Sequence, residues 1–336
     1  MKLELPSGAA TGIGSLPHLD SLAAARFSLE QFPSLPAIPS LPRRSPAEGL
    51  VAQAVVGIGG VTVGHYGSLA VDVRRIDPLE PVVTRLDDDA FGAFRAFVEL
   101  ATGTDVRRPV KWQFVGPLTL GLALARAGVP TNIAFDVAVR AVRAHLAALH
   151  RYVAEALPAS QQVVVIKEPC LPEMMDPSFP VPPDAAIDLL SGALATVERH
   201  AVVGVHCSQA NVDWVSVIAA GPGLLALRVS PDLRQIAGYL MRFLEGGGWI
   251  AWGAVSTDGP LPSTAERPWR ELSSLWGDLV GAGCDPLLLR RQALITPSGG
   301  LGQHSVPVVA RVLRIVRELA DRVHGQAAAT QLTVGV

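Results

Sequence analysis

Short apolar runs alternate with longer segments of helical periodicity along almost the whole chain, and this alternation constrains the fold more than any other feature. The runs end in Gly, Pro, Ser or another polar residue, which is typical of strands in repeated strand–helix units. The predicted strands are Ala10–Ser15, Pro36–Leu41, Val110–Val115, Gln162–Glu168, Ala201–Cys207, Leu224–Val229, Trp249–Val255 and Ala293–Ser298. Because a series of such units closes into a barrel, the sequence predicts an α/β fold of the (β/α)8 TIM-barrel class.

The helical segments and one glycine-rich insertion complete the predicted architecture. Asp20 is placed to cap a helix over Asp20–Gln31, and a helix over Ala134–Leu157 carries an apolar stripe at steps of three and four residues. The segment Gly57–Arg75 combines glycines with β-branched residues, which predicts a small inserted hairpin. We expect one barrel domain over residues 1–325, because such barrels reach about 250 residues or more as one unit. Residues 326–336 are predicted to be a disordered tail.

Composition and charge restrict the partners. Apolar residues make up 49% of the chain and aromatic residues only 5%, which suits a parallel sheet covered on both faces by small aliphatic side chains. The formal charge of −2 gives no basic surface for nucleic acid or an anionic membrane, so a small molecule is the expected partner. We find no secretory signal and no apolar run of the ~18 residues that a membrane span needs. The three widely spaced cysteines predict free thiols in a cytoplasmic protein.

Polar side chains at or near the carboxyl ends of the predicted strands are the candidate site residues, because the active site of a barrel lies at that end. They are Ser15, His18, Lys111, Gln113, Lys167, Glu168, His206, Cys207, Ser230, Asp232, Ser256, Asp258, Thr296 and Ser298.

Three of these residues are candidates for catalysis. Glu168 is expected to act as a general acid or base if the barrel mouth partly desolvates it; the alternative is a carboxylate that only orders a loop. His206 is a candidate proton carrier, and its alternative is a buried histidine bonded to the backbone. Cys207 is a candidate nucleophile if His206 or Lys167 stabilises its thiolate.

A series of motifs occurs in an order that spans nearly the whole chain: Ile13-Gly14-Ser15-Leu16-Pro17, Lys111 with Gly116-Pro117-Leu118-Thr119, Glu168-Pro169, His206-Cys207 and Thr296-Pro297-Ser298-Gly299-Gly300-Leu301. In these motifs the chain resembles the catalytic C-terminal barrel of the cobalamin-independent methionine synthase family, within the uroporphyrinogen decarboxylase/methionine synthase-like superfamily. The resemblance implies a methyltransferase of methionine biosynthesis that moves a methyl group from a folate or a corrinoid to a thiol such as that of homocysteine. It also implies a corrinoid protein as a partner if the donor is a corrinoid, and it implies that Ile13, Gly14 and Ser15 hold the substrate.

The zinc ligands that the resemblance implies are incomplete in this chain. The family binds zinc through a His-x-Cys pair, a later Glu and a final Cys, but here His206 and Cys207 are adjacent and so point to opposite faces of a strand. The sixth predicted strand has no carboxylate, and Gly299 stands where the family has its final cysteine. We therefore predict a degenerate zinc site and no bound metal; if a metal is bound, His206 and Cys207 are its ligands.

Substrate recognition differs from the family as well. Lys167 stands where the family has an aspartate for the substrate ammonium, and a lysine there would repel an ammonium by about 1–4 kcal/mol at ~4 Å. Thr296, Ser298 and the following glycines precede a helix start, where free amides favour an anion. An acidic small molecule is therefore the expected substrate.

Three functions remain as hypotheses. The first is a methionine-synthase-like methyltransferase whose zinc-dependent thiol activation is lost or rebuilt. The second is a metal-independent decarboxylase-like enzyme of the same superfamily, with Glu168 and His206 as acid–base residues. The third is a barrel that binds a ligand without catalysis.

Overall fold

A curled parallel sheet forms the centre of the protein. The computed structural model describes residues 5–103 and 107–334, and side chains as far as residue 326. A six-stranded parallel sheet in chain order, β3-β4-β5-β6-β7-β8, makes a half-barrel, and an antiparallel pair, β1-β2, stands apart from it. The strands are β1 (Val61–Val63), β2 (Leu69–Val71), β3 (Val110–Val115), β4 (Gln162–Lys167), β5 (Ala201–Cys207), β6 (Leu224–Arg228), β7 (Trp249–Val255) and β8 (Ala293–Pro297).

Helices connect the parallel strands, as crossover connections between such strands require. They are α1 (Ser21–Gln31), α2 (Leu50–Ala54), α3 (Gly92–Thr102), α4 (Pro117–Arg126), α5 (Thr131–Ala156), α6 (Pro183–Leu194), α7 (Trp214–Ala219), α8 (Ala237–Glu245), α9 (Glu266–Gly281), α10 (Pro286–Arg291) and α11 (Val306–Val334). As predicted, the Asp20 carboxylate caps α1 by accepting a hydrogen bond of 2.6 Å from the amide of Ala23. The predicted helix over Ala134–Leu157 forms as α5.

Two apolar cores lie on the two faces of the sheet. The larger packs side chains such as Trp112 and Phe114 of β3 against the surrounding helices. The smaller fills the concave face with side chains from alternate strand positions, and it consists of Leu5, Ala9, Leu35, Val163, Val165, Val202, Leu224, Ala226, Trp249, Ala251 and Leu294. Because side chains alternate along a strand, this division shows which residues of each strand face the barrel interior.

The structure corrects the prediction of the first two strands. Residues 10–15 and 36–41 do not form extended strands; single parallel bridges join Ala10 to Ile295, Ser15 to Ser40 and Ala37 to Lys111. Glycine and proline explain the interruption, because Gly14 has a φ of +111° and a proline such as Pro39 has no amide hydrogen to donate. Pairs of backbone hydrogen bonds nevertheless connect these segments to β8, to each other and to β3.

The remaining predictions about the architecture have mixed outcomes. The hairpin predicted within Gly57–Arg75 forms, with Val61 opposite Val71. Helix α11 continues to Val334 and so covers most of the predicted tail. Residues 335 and 336, and the side chains from residue 327 onward, lie outside the described part of the chain. All three cysteines are free, as predicted, and all three are buried. Within residues 5–103 and 107–334, no helix has both the length and the apolar character needed to cross a membrane.

Candidate functional site

The carboxyl ends of the strands bring Ser15, Lys167 and Gly300 into contact. A Cβ atom added to Gly300 would overlap the Ser15 hydroxyl and lie 3.8 Å from Nζ of Lys167. Lys167 ends β4, and its side chain is half-buried. The backbone amides of Gly299 and Gly300 have no hydrogen-bond acceptor within the described part of the chain. A cation, a hydroxyl and two free amides therefore lie together at the strand ends, in a region that we call the mouth.

Lysine is rare in this protein, yet two lysines lie on the concave side of the sheet. Of the 28 Lys and Arg residues in the chain, three are lysines: Lys2, Lys111 and Lys167. Lys111 is buried on β3, and its Nζ donates a hydrogen bond of 2.7 Å to the carbonyl of Gly12. Neither Lys111 nor Lys167 forms an ion pair with any residue for which the structure gives a side chain. Burial, followed by repulsion from Lys167, lowers the pKa of Lys111 to about 7.

Replacing Lys111 by methionine is expected to change how stability depends on pH. The pKa of Lys111 falls from 10.5 in the unfolded chain to about 7 in the folded one, so the unfolded chain binds more protons between these values. The wild-type free energy of unfolding should therefore rise with pH across this window, relative to Lys111→Met, by about 1.4 kcal/mol per unit. Urea titrations at pH 7.5 and pH 9.5 measure the difference. If the free energy of unfolding changed equally with pH in the two proteins, the lowered pKa of Lys111 would be contradicted.

His206 and Cys207 point to opposite faces of β5, as their adjacency predicts. His206 faces the interior, where its Nε2 lies 3.2 Å from the carbonyl oxygen of Ser298. Because a carbonyl only accepts, Nε2 carries the hydrogen, and the lone pair of Nδ1 is buried without a partner. Burial, together with repulsion from the charges of Lys167 and Lys111, lowers the pKa of His206 to about 3. His206 is therefore a neutral acceptor.

Cys207 belongs to the core between the sheet and the helices. Burial raises the pKa of its thiol to about 11, so the thiol is protonated near neutral pH. Since His206 lies on the other face of the strand, the two side chains do not converge on one point. No group of three or more His, Cys, Asp and Glu side chains with metal-binding geometry occurs among the described residues. The residues present therefore do not fit the zinc site of the family that the sequence resembles.

Glu168 caps a helix. Its carboxylate is fully buried and accepts hydrogen bonds from the amides of Leu118, at 2.9 Å, and Thr119, at 2.7 Å, which form the first turn of α4. Burial raises the pKa of Glu168 to about 7, although the hydrogen bonds from Thr119 and Leu118 act in the opposite direction. Gly116 permits the arrangement, because a Cβ there would overlap the carboxylate. The Glu168 carboxylate therefore faces α4, which favours a role in ordering the local structure over a role in acid–base catalysis.

The segment at residues 12–15 packs tightly against β3. A Cβ on Gly14 would lie 2.8 Å from Nε2 of Gln113, and Oε1 of Gln113 is buried without a hydrogen-bond partner. Ile13 is buried. His18 packs its ring on Phe27 of α1, with ring centroids 4.9 Å apart, and burial lowers its pKa. Gln113 thus adds a free acceptor at this edge of the sheet, whereas the ring of His18 contacts a helix.

The end of β8 is fixed by hydrogen bonds. Oγ of Ser298 accepts from the amide of Thr257 at 3.1 Å, and Oγ1 of Thr296 donates to the carbonyl of Trp252 at 3.3 Å. A Cβ on Gly299 would lie 2.8 Å from Oγ1 of Thr257. Thr296 and Ser298 therefore support the position of the glycines rather than offer free groups to a ligand.

Arg228 is a site residue that our sequence predictions missed. It ends β6 and is exposed, and it lies at the junction of two grooves of about 830 and 640 Å³. The larger groove also contains the predicted residues Ser256 and Asp258, and the smaller one contains Ser230 and Asp232. The sequence does contain a signal for Arg228, because it is the one charged residue in an otherwise apolar predicted strand.

Together, the fold and the site define an α/β protein with a half-barrel sheet and a cationic mouth at its strand ends. No protein-family model matches the chain, and no curated protein matches its sequence. The function must therefore be inferred from the site itself.

Proposed function

We propose that this protein is a metal-independent enzyme that binds a small carboxylate-bearing substrate in the mouth of a closed (β/α)8 barrel. The observation that carries the proposal is the pair of interior lysines without a carboxylate partner. A cation removed from water without a counter-charge is costly, so a ligand that neutralises the fully buried Lys111 and the half-buried Lys167 would stabilise the folded protein.

Closure of the barrel is the structural part of the proposal. Amide-to-carbonyl bonds link Thr11 to Ile295, Ser40 to Gly14 and Ile38 to Lys111, at 3.0, 3.1 and 2.7 Å. These contacts run in the order that two short additional strands between β8 and β3 would require. A closed barrel places the mouth at the carboxyl ends of its strands, where barrel enzymes bind their substrates.

The mouth offers a carboxylate several donors at once. Nζ of Lys167 and the hydroxyl of Ser15 converge at Gly300, and the free amides of Gly299 and Gly300 are adjacent. Hydrogen bonds from charged and backbone donors to a carboxylate are the strong class of such bonds.

Among the hypotheses drawn from the sequence, these features favour the decarboxylase-like one. Zinc-dependent activation of a thiol needs ligands that converge, and Cys207 faces away from His206. Methyl transfer to homocysteine from a folate or a corrinoid carried by a partner protein, a cytoplasmic location and membership of the methionine-synthase-like superfamily remain predictions from the sequence.

Thermal unfolding in the presence of small molecules tests the proposal. Malonate and succinate should raise the unfolding temperature saturably, because a ligand that binds only the folded state stabilises it. The matched controls are 1,3-propanediol and 1,4-diaminobutane, which have similar lengths and lack carboxylates, with sodium chloride added to equal ionic strength. Equal shifts with the diol, the diamine and the dicarboxylates, or no shift with any of them, would overturn the carboxylate site.

A further inference from the structure

We propose that Lys167 is an amine nucleophile, which forms an imine with the carbonyl carbon of a β-keto acid bound in the mouth. This inference rests on the proposed function, because it assigns the substrate class and the reacting group to the same site. The following geometry carries it.

The two interior lysines differ in what their amines contact. Lys111 is fully buried, and its Nζ is held by the carbonyl of Gly12. Lys167 is half-buried, and its Nζ donates no hydrogen bond to any residue in the described ranges, although it lies beside Gly300 at the mouth. Lys167 is therefore the amine that a ligand can reach, and Lys111 is the fixed amine behind it.

The surroundings of Lys167 make the neutral amine more accessible than in an exposed lysine, while the protonated form is the one that a bound carboxylate pairs with. Burial lowers the pKa of Lys167, while Cys207 acts weakly in the opposite direction. The electrostatic coupling of Lys111 to Lys167 means that each proton on one amine disfavours a proton on the other. A desolvated lysine beside a second cation is one of the arrangements by which proteins activate lysine toward carbonyl compounds.

Two unpartnered acceptors lie on the strands that flank β4. His206 is the Cα partner of Lys167 across β4 and β5, and its Nδ1 lone pair is free. Gln113 lies on the other side of β4, one strand away on β3, and its buried Oε1 has no donor. These acceptors are suited to hold the N–H of an amine or carbinolamine in place.

The chemistry balances without an added cofactor. The neutral amine of Lys167 adds to the carbonyl carbon, and proton transfer gives a carbinolamine. The carbinolamine takes up one proton from solvent and loses its hydroxyl as water, which forms the protonated imine; this proton is released again on the final hydrolysis. The bond between the α carbon and the carboxylate then breaks, its electron pair moves toward the iminium nitrogen, and carbon dioxide leaves. The resulting enamine takes one proton at the α carbon, and water hydrolyses the imine to a ketone and the free lysine.

Reductive trapping with acetoacetate tests the inference. The wild-type protein is incubated with acetoacetate, reduced with sodium borohydride and mapped by peptide mass spectrometry. We expect modification at Lys167, at least about tenfold above that at Lys2 and the N-terminal amine, which measure nonspecific reaction. After decarboxylation the added group is isopropyl; before it, the added group retains the carboxylate.

Two variants separate this inference from the proposed function. Lys167→Arg keeps the positive charge and should still bind malonate, but trapping at position 167 should be lost. Lys111→Met should shift the reactivity of Lys167 to higher pH than in the wild type, because loss of the neighbouring charge raises the pKa of Lys167. If malonate binds but Lys167 is trapped no more than Lys2, the imine is ruled out and the carboxylate site stands. If malonate does not bind either, both proposals fall. An adduct that always retains its carboxylate would contradict the decarboxylation step.

Discussion

Replacing Glu168 by leucine should lower the free energy of unfolding by about 2–4 kcal/mol at pH 6, because two buried amides would lose their acceptor. These amides belong to Leu118 and Thr119 in the first turn of α4. At pH 6 the group lies below its raised pKa of about 7, so the wild type carries little buried charge there and still accepts both bonds. Urea denaturation followed by circular dichroism measures the change.

A graded series distinguishes a helix cap from a catalytic carboxylate. Glu168→Gln keeps one carbonyl oxygen and should lose about half as much as Glu168→Leu. Glu173→Gln is the matched control, because this nearby glutamate is half exposed and pairs with Arg126 on the surface. Unchanged stability of Glu168→Leu, with loss of turnover, would show that Glu168 acts in the reaction instead.

Gly300→Ala is expected to remove most ligand binding while the fold is retained. The new methyl group would overlap the Ser15 hydroxyl and approach Nζ of Lys167. The side chains at the mouth must then separate, and we expect malonate affinity to fall at least about tenfold, the equivalent of ~1.4 kcal/mol. Crowding of this kind should also lower the free energy of unfolding by about 1–3 kcal/mol.

Gly238→Ala is the control for this substitution. Gly238 lies on α8, where an added Cβ would meet no atom within 4 Å. Its stability should be unchanged or slightly raised, since alanine favours a helix, and malonate should bind as in the wild type. Calorimetric titration of both variants measures the effect. Wild-type affinity in Gly300→Ala would contradict the assembly of the mouth around Gly300.

The sequence predicts the central sheet well and the first two strands poorly, for a physical reason. Strands β3 to β8 are mainly apolar runs, interrupted in β3 by Lys111 and Gln113, and burial on both faces of a parallel sheet selects for that pattern. Residues 10–15 and 36–41 have the same apolar character, but glycines and prolines reduce their pairing to single bridges. Apolar periodicity predicts where a segment is buried, whereas continuous pairing also depends on backbone donors and dihedral angles.

The candidate site likewise has features that the sequence predicts and features that it does not. Alternation along a strand was enough to predict that His206 and Cys207 face opposite ways. The partner of Glu168 was not predictable, because α4 begins about fifty residues earlier in the chain, at Pro117. Nor does the sequence reveal that Lys111 and Lys167 lie near each other, since that depends on the curvature of the sheet.

The most direct test of the central claim is the affinity of malonate for the wild type, Lys167→Arg and Lys167→Met, measured by isothermal titration calorimetry. A carboxylate held by a buried cation predicts that Lys167→Met binds about 10–100 times more weakly than the wild type, and that Lys167→Arg retains most of the affinity. The circular dichroism spectra of all three proteins establish that each is folded. Equal affinity of the wild type and Lys167→Met would contradict the account.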